Sequence, residues 1–147
     1  MLAKEYWDLK KKHEQEINDF PIAFAFSDEQ LKEALDKLGA DDISECRTVL
    51  HQGDIVKKDD AEPLMQMLYR HAEEIIALIR SDEKIAYETF LSEMDNHEYA
   101  INWDGDDDVL GCLGMSYKNL KEFRLVDIYN RARREHLRKA HEEWELI

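Results

Sequence analysis

Asp59-Asp60-Ala-Glu-Pro63-Leu64-Met-Gln-Met67-Leu68-Tyr-Arg70-His71-Ala72-Glu-Glu74-Ile75-Ile76-Ala-Leu78-Ile79-Arg80 is the stretch whose reading decides the fold. Leu64, Met67, Leu68, His71, Ala72, Ile75, Ile76, Leu78 and Ile79 recur at helical spacing and cover more than half of the circumference, which predicts the central, most buried helix. Asp59 or Asp60 suits its N-cap, and Pro63 suits a first turn, where a missing N–H costs nothing. A second helix follows from Ser81 to about Tyr99. It buries Ile85, Phe90, Leu91 and Met94 and turns Glu83, Glu88, Glu93 and Asp95 to water. Beyond it lies the run Asp104-Gly-Asp106-Asp107-Asp108. Residues 59–108 together hold 15 acidic residues against Arg70, Arg80 and Lys84, a net of −12 in a chain whose total is −14.

Toward the N-terminus, Leu2, Tyr6, Leu9, His13, Ile17 and Phe20 form one helical stripe that must stop before Pro21. His13 on that stripe reads as a packed, neutral histidine. Ile22, Phe24 and Phe26 alternate with alanines that tolerate close packing on the other face, which predicts a short strand. Ser27-Asp-Glu-Gln30 is a capping box for a helix that carries Leu31, Ala34, Leu35 and Leu38 and stops at Gly39. Thr48 to His51 and Asp54 to Lys57 flank Gln52-Gly53 and predict a β-hairpin. Two strands alone are marginal, so the 22–26 strand is expected to join them.

Toward the C-terminus, Leu110-Gly-Cys-Leu-Gly114-Met-Ser repeats the pattern of Leu35-Asp-Lys-Leu-Gly39-Ala-Asp, a last helical turn with a glycine stop. From about Ser116 to Ile147 the pattern is continuously helical. Its 118–139 portion is basic, with Lys118, Lys121, Arg124, Arg131, Arg133, Arg134, Arg138 and Lys139 against three acids. That helix either docks on the acidic helices or offers a local nucleic-acid or partner surface, and docking is the simpler account.

At 147 residues the chain fits one domain, 1–147. Few glycines and prolines and a 37% charged composition suit helices with solvated faces. The expected fold is therefore α+β, mainly helical, with an antiparallel sheet of about three strands; all-α is the alternative if the hairpin is irregular. Cys46 and Cys112 lie in no CxxC or Cys/His ladder and read as reduced, half-buried thiols of a cytoplasmic protein. The N-terminus lacks a signal-peptide core, and no segment approaches a membrane span.

No motif spells out a reaction. Asp104-Gly-Asp106-Asp-Asp108 begins like a calcium loop, yet Val109 stands where the turn glycine belongs and Met115 where the bidentate glutamate belongs. Asp106 to Asp108 instead suit the start of a helix at Val109. No histidine sits in a zinc or di-iron spacing, so no metal and no cofactor is expected. His97 and Glu98 would meet His71 and Glu74 if the two central helices pack antiparallel, a hydrogen-bond network or an acid/base pair. Direct nucleic-acid binding is disfavoured, because phosphates repel a surface of this charge.

Phe24-Ala-Phe-Ser-Asp-Glu-Gln30 with Lys37-Leu-Gly39, Gly53-Asp-Ile-Val-Lys57-Lys-Asp59, and Asn96-His-Glu-Tyr99 resemble a family of short, acidic, uncharacterised proteins from gut bacteria and their phages, over roughly residues 15 to 115. The resemblance implies a mobile or phage-related genome and brings no catalytic residues. The basic helix after Phe123 departs from it.

The leading functional expectation is a non-enzymatic binding protein whose acidic ridge, Glu83, Glu88, Glu93, Asp95, Asp104, Asp106, Asp107 and Asp108, engages a basic, nucleic-acid-handling protein. A small enzyme using His71, Glu74, His97 and Glu98 is the alternative, and a structural protein with acidity for solubility the third.

Overall fold

The computed structural model describes residues 2–99 and 105–145. In chain order the elements are α1 (Lys4–Asp19), β1 (Ala23–Phe24), α2 (Asp28–Leu38), a 3-10 turn (Ile43–Glu45), β2 (Cys46–Arg47), β3 (Asp54–Lys57), α3 (Lys58–Ser81), α4 (Glu83–Asn96), α5 (Gly105–Cys112), α6 (Tyr117–Glu122) and α7 (Val126–Glu145). The fold class is the expected one, a mainly helical α+β protein with a three-stranded antiparallel sheet in the order β1-β3-β2. Packing divides the chain into two compact units, residues 10–71 and residues 1–9 with 72–147, so α1 and α3 each supply residues to both.

In the 10–71 unit, the hairpin is shorter than its sequence pattern. β2 pairs with β3 through Cys46↔Lys57 and Arg47↔Val56, and residues 48–53 form a loop instead of a strand and tight turn. The cause is Asp54, which is 1% exposed. Its carboxylate accepts from the Thr48 hydroxyl (2.8 Å) and from the backbone N–H groups of Val49 (2.8 Å), Leu50 (3.0 Å) and Gln52 (3.1 Å). Those amides bond to a side chain in place of a neighbouring strand. Burial alone would raise the Asp54 carboxyl, but these donors outweigh it and hold the group down at about 2.

In residues 22–26 the closely packed face is that of the alanines. Ala23 is buried with Ala34, Leu38 and Ile55, while Phe24 and Phe26 are 48% and 75% exposed. The small alanine side chain lets α2 approach the strand closely, and the rings are left outside. Phe26 lies over Gly53, where a Cβ would come within 2.4 Å of its ring, and the φ of 82° at Gly53 also favours glycine. Ser27 caps α2 as expected by accepting from the Gln30 N–H (3.2 Å), but the Gln30 side chain accepts from the Phe26 N–H, one residue earlier than a capping box requires.

Helix α3 starts at Lys58, directly after β3, which puts Pro63 in the second turn and not the first. Its buried residues are Ala61, Leu64, His71, Ile75 and Ile79, with Met67 and Leu68 half-buried. The most buried helix is instead α4, where Ala86, Thr89, Phe90, Leu91, Glu93 and Met94 are all buried. Asp82 caps it, accepting from the Lys84 and Ile85 N–H groups. Against α4 lies α7, through Ile128, Tyr129, Ala132 and His136, with the Tyr129 ring edge-on to Phe90 at 5.2 Å.

The repeated glycine stops are shared capping geometry. Gly39 and Gly114 have φ of 71° and 69°, and the following amides, Ala40 and Met115, donate to Leu35 and Leu110. The same bond runs from Leu125 to Leu120, but the left-handed residue there is Arg124 (φ 58°), so the expected continuous C-terminal helix is broken into α6 and α7.

Phe90→Ala is expected to cost about 3–5 kcal/mol in chemical denaturation, more than the same change at half-buried Leu68. For Asp54 the folded carboxyl titrates below its unfolded value, so its contribution is present above about pH 4 and is lost as pH falls toward 2. Melts of wild type and Asp54→Asn from pH 6 to about pH 2 should therefore converge in acid, wild type being the more stable at neutral pH.

Candidate functional site

Helix α4 is apolar at 86, 90 and 94 and carries Glu93 and His97, four residues apart, along one edge of that buried face. Glu93 is fully buried, which contradicts the water-facing position expected for it. A carboxylate there must be hydrogen-bonded. The Tyr6 hydroxyl of α1 donates to Glu93 Oε1 (3.0 Å), and His97 Nε2 meets Oε2 (2.9 Å). Burial, followed by the Glu93 charge, pushes the Tyr6 phenol far above its usual value, so it remains a donor. Next to Tyr6, the Trp7 indole N–H donates to Ser92 Oγ (2.7 Å), a second tie between α1 and the same stretch of α4.

The third member comes from α5. Cys112, its last residue, places Sγ 3.1 Å from the same His97 Nε2. The carboxylate oxygen, imidazole nitrogen and sulfur all lie within 4.8 Å of one another. Glu93 is buried, His97 partly exposed and Cys112 exposed, so the cluster runs from the core to the surface. His97 is the C-cap of α4, and Glu98 follows with φ of 51° and ends the helix. Cys46, in the other unit, is buried.

The other residues named from sequence are scattered. His71 stacks on His13 (centroids 3.8 Å apart) and meets Glu16 Oε2 at 3.3 Å; Glu16 also receives Arg70, and this pair with His71 holds its carboxyl down at about 2. His71 thus has its partners in the 10–71 unit and His97 in the other, and Glu74 is half-buried on α3. Glu83 is exposed and Glu88 half-buried. Asp95 is engaged by Lys139 Nζ (2.8 Å) and His136 Nδ1 (2.7 Å). Asp106 accepts from the Tyr129 and Tyr99 hydroxyls, and Asp107 and Asp108 are exposed in the first turn of α5, where they offset its dipole. Asp104 lies outside the described residues. Asp95, Glu98, His136, Lys139 and Trp144 line a cleft of about 490 Å³ between the end of α4 and α7.

α7 makes a few polar contacts within the chain. Besides Lys139 on Asp95, Arg138 pairs with Glu135 and Glu142 of its own helix, and Arg131 lies over the Tyr87 ring at 5.9 Å. Among the described residues, no helix is long and apolar enough to cross a membrane.

With this geometry, the chain belongs to a family of unknown function, DUF7659, matched over residues 5–135. The match extends beyond the span suggested by the sequence motifs at both ends and takes in α7 as far as residue 135. No curated protein and no solved structure gives a significant match.

Tyr6→Phe removes the donor to a buried carboxylate oxygen and is expected to cost on the order of 1–3 kcal/mol. Thermal or urea denaturation of the variant checks it, and an unchanged midpoint would show that Glu93 is satisfied by other means.

Proposed function

We propose that the protein is a small acidic binding protein that engages a basic protein partner through exposed carboxylates. The observation that carries this reading is the fate of the basic helix. Lys139 and Arg138 are held by carboxylates of the same chain, and Arg131 by an aromatic face, while the chain as a whole carries −14. Part of the positive charge of α7 is thus offset locally, and the net charge of −14 gives an outside field that attracts cationic surfaces and repels nucleic-acid phosphates. A mobile or phage-related setting rests on the sequence resemblance alone.

The acids available for such contact are fewer than the sequence suggested. Glu93 is buried, Asp106 is held by two tyrosines and Asp95 by α7. Glu83 and Asp107 are exposed and Glu88 is half-buried.

Reversing Glu83, Glu88 and Asp107 together to lysine should leave the circular dichroism spectrum and melting point close to wild type. Partners captured by the wild type should be lost from the variant, and capture by the wild type should fall as salt rises, because screening shortens charge interactions to about 8–10 Å near physiological ionic strength. Retention of the same partners by a folded triple variant would overturn the reading.

A further inference from the structure

We propose that Glu93, His97 and Cys112 form a binding site for one divalent transition ion of the zinc class, a site that the ligand spacings considered from the sequence did not reveal. Three observations carry it independently of the acidic-surface reading.

The first is the sharing of one nitrogen. Glu93 Oε2 and Cys112 Sγ both approach His97 Nε2, at 2.9 and 3.1 Å. A ring nitrogen has either one hydrogen or one lone pair, so it can satisfy only one of these neighbours with a directed hydrogen bond. In an acid/base or nucleophile triad the carboxylate would hold the other ring nitrogen and leave this one for the thiol. Three donor atoms crowded around a common point are instead what a metal ion organises. Zinc bonds of about 2.0–2.1 Å to nitrogen and about 2.3 Å to sulfur place tetrahedral neighbours about 3.5 Å apart. Widening the contacts to that spacing requires side-chain shifts of only a few tenths of an ångström.

The second is the setting of the donors. His97 caps the C-terminus of α4, and Cys112 is the last residue of α5. The partial negative charge of a helix end favours a cation, and the activated thiols of nucleophilic enzymes sit at the opposite, N-terminal end. The fully buried Glu93 carboxylate adds a formal negative charge in the same place.

The third is support and access. Tyr6 fixes Glu93 Oε1, which directs Oε2 toward the other donors, as the outer hydrogen-bonding partners of metal-binding carboxylates do. Exposed Cys112 marks the side on which an ion enters and on which water completes its coordination. A thiolate with an imidazole selects zinc, cobalt or similar ions over calcium and magnesium, which take oxygen donors. Binding exchanges the Cys112 thiol proton for the metal: the S–H bond breaks, the sulfur–metal bond forms and the proton leaves to solvent.

Cobalt(II) is the probe, added to full-length protein purified in chelator and then freed of it. The expected result is a near-ultraviolet thiolate-to-cobalt charge-transfer band that saturates at one equivalent and is displaced by zinc. Cys112→Ser, a change at an exposed site that should leave the circular dichroism spectrum intact, should abolish the band and weaken zinc binding by more than the about 10–100-fold that loss of an outer partner costs. Zinc should also slow alkylation of Cys112 in the wild type. Absence of the band from the wild type, its persistence in Cys112→Ser, or alkylation indifferent to zinc would each overturn the proposal.

Discussion

A carboxylate buried in an apolar helix face is the constraint on which the 1–9 and 72–147 unit depends. Glu93 is enclosed with Phe90 and Met94 beside it on α4, both fully buried. An uncompensated charge in such surroundings would cost several kcal/mol. The unit answers by bringing α1 to Glu93 through Tyr6 and α5 to its neighbour His97 through Cys112. The positions of three helices are thereby tied to one polar group. Apolar packing alone is indifferent to small rotations of a helix; a hydrogen bond between a buried phenol and a buried carboxylate is not, and it fixes which face of α1 meets α4.

The other unit uses the same device on a smaller scale. Asp54 gathers four donors from residues 48–52 and converts what would be a strand and tight turn into a loop. The loop then places Gly53 beneath the Phe26 ring and lets Gly53 O accept from the Ala25 N–H (2.9 Å), so that strand pairing continues beyond β1. In both units one buried acid decides local architecture by gathering donors around it, and at Asp54 these include backbone amides that a strand would otherwise have used.

The Ser27 cap and the Gly39 and Gly114 stops were legible in the sequence because their signals are local, acting on amides and carbonyls a few residues away. The three-stranded sheet was legible for similar reasons. Its orientation was not, since alternation of Phe with Ala does not reveal which face meets α2, and close approach favoured the alanines. The break before α7 was missed because Arg124, not glycine, takes the left-handed conformation. For the site, helical spacing did hold the signal. Ala86, Phe90, Glu93 and His97 follow at 4, 3 and 4, so Glu93 belongs to the buried stripe by position. Reading it as water-facing gave residue type precedence over spacing. Cys112 carried no comparable signal, because only the packing of α5 brings it to His97.

Burial of Glu93 also changes what the charge of the chain means. Counted along the sequence, the 59–108 block is a uniform acidic ridge, but in the fold its carboxylates divide by task. Asp82 caps a helix, Glu93 anchors two others, Asp95 receives α7, and Asp106 holds Tyr99 and Tyr129. Each of these is fixed by geometry and cannot also be free to meet a partner. A local count of formal charge therefore overstates an interaction surface wherever acids sit at helix starts or on buried stripes. The carboxylates left to face outward, Glu83 and Asp107 among them, belong to the first turns of α4 and α5, where an acid offsets the helix dipole. Any partner drawn to them must compete with that local stabilisation, which favours association steered by the summed field of the protein over a tight, residue-by-residue ion-pair interface.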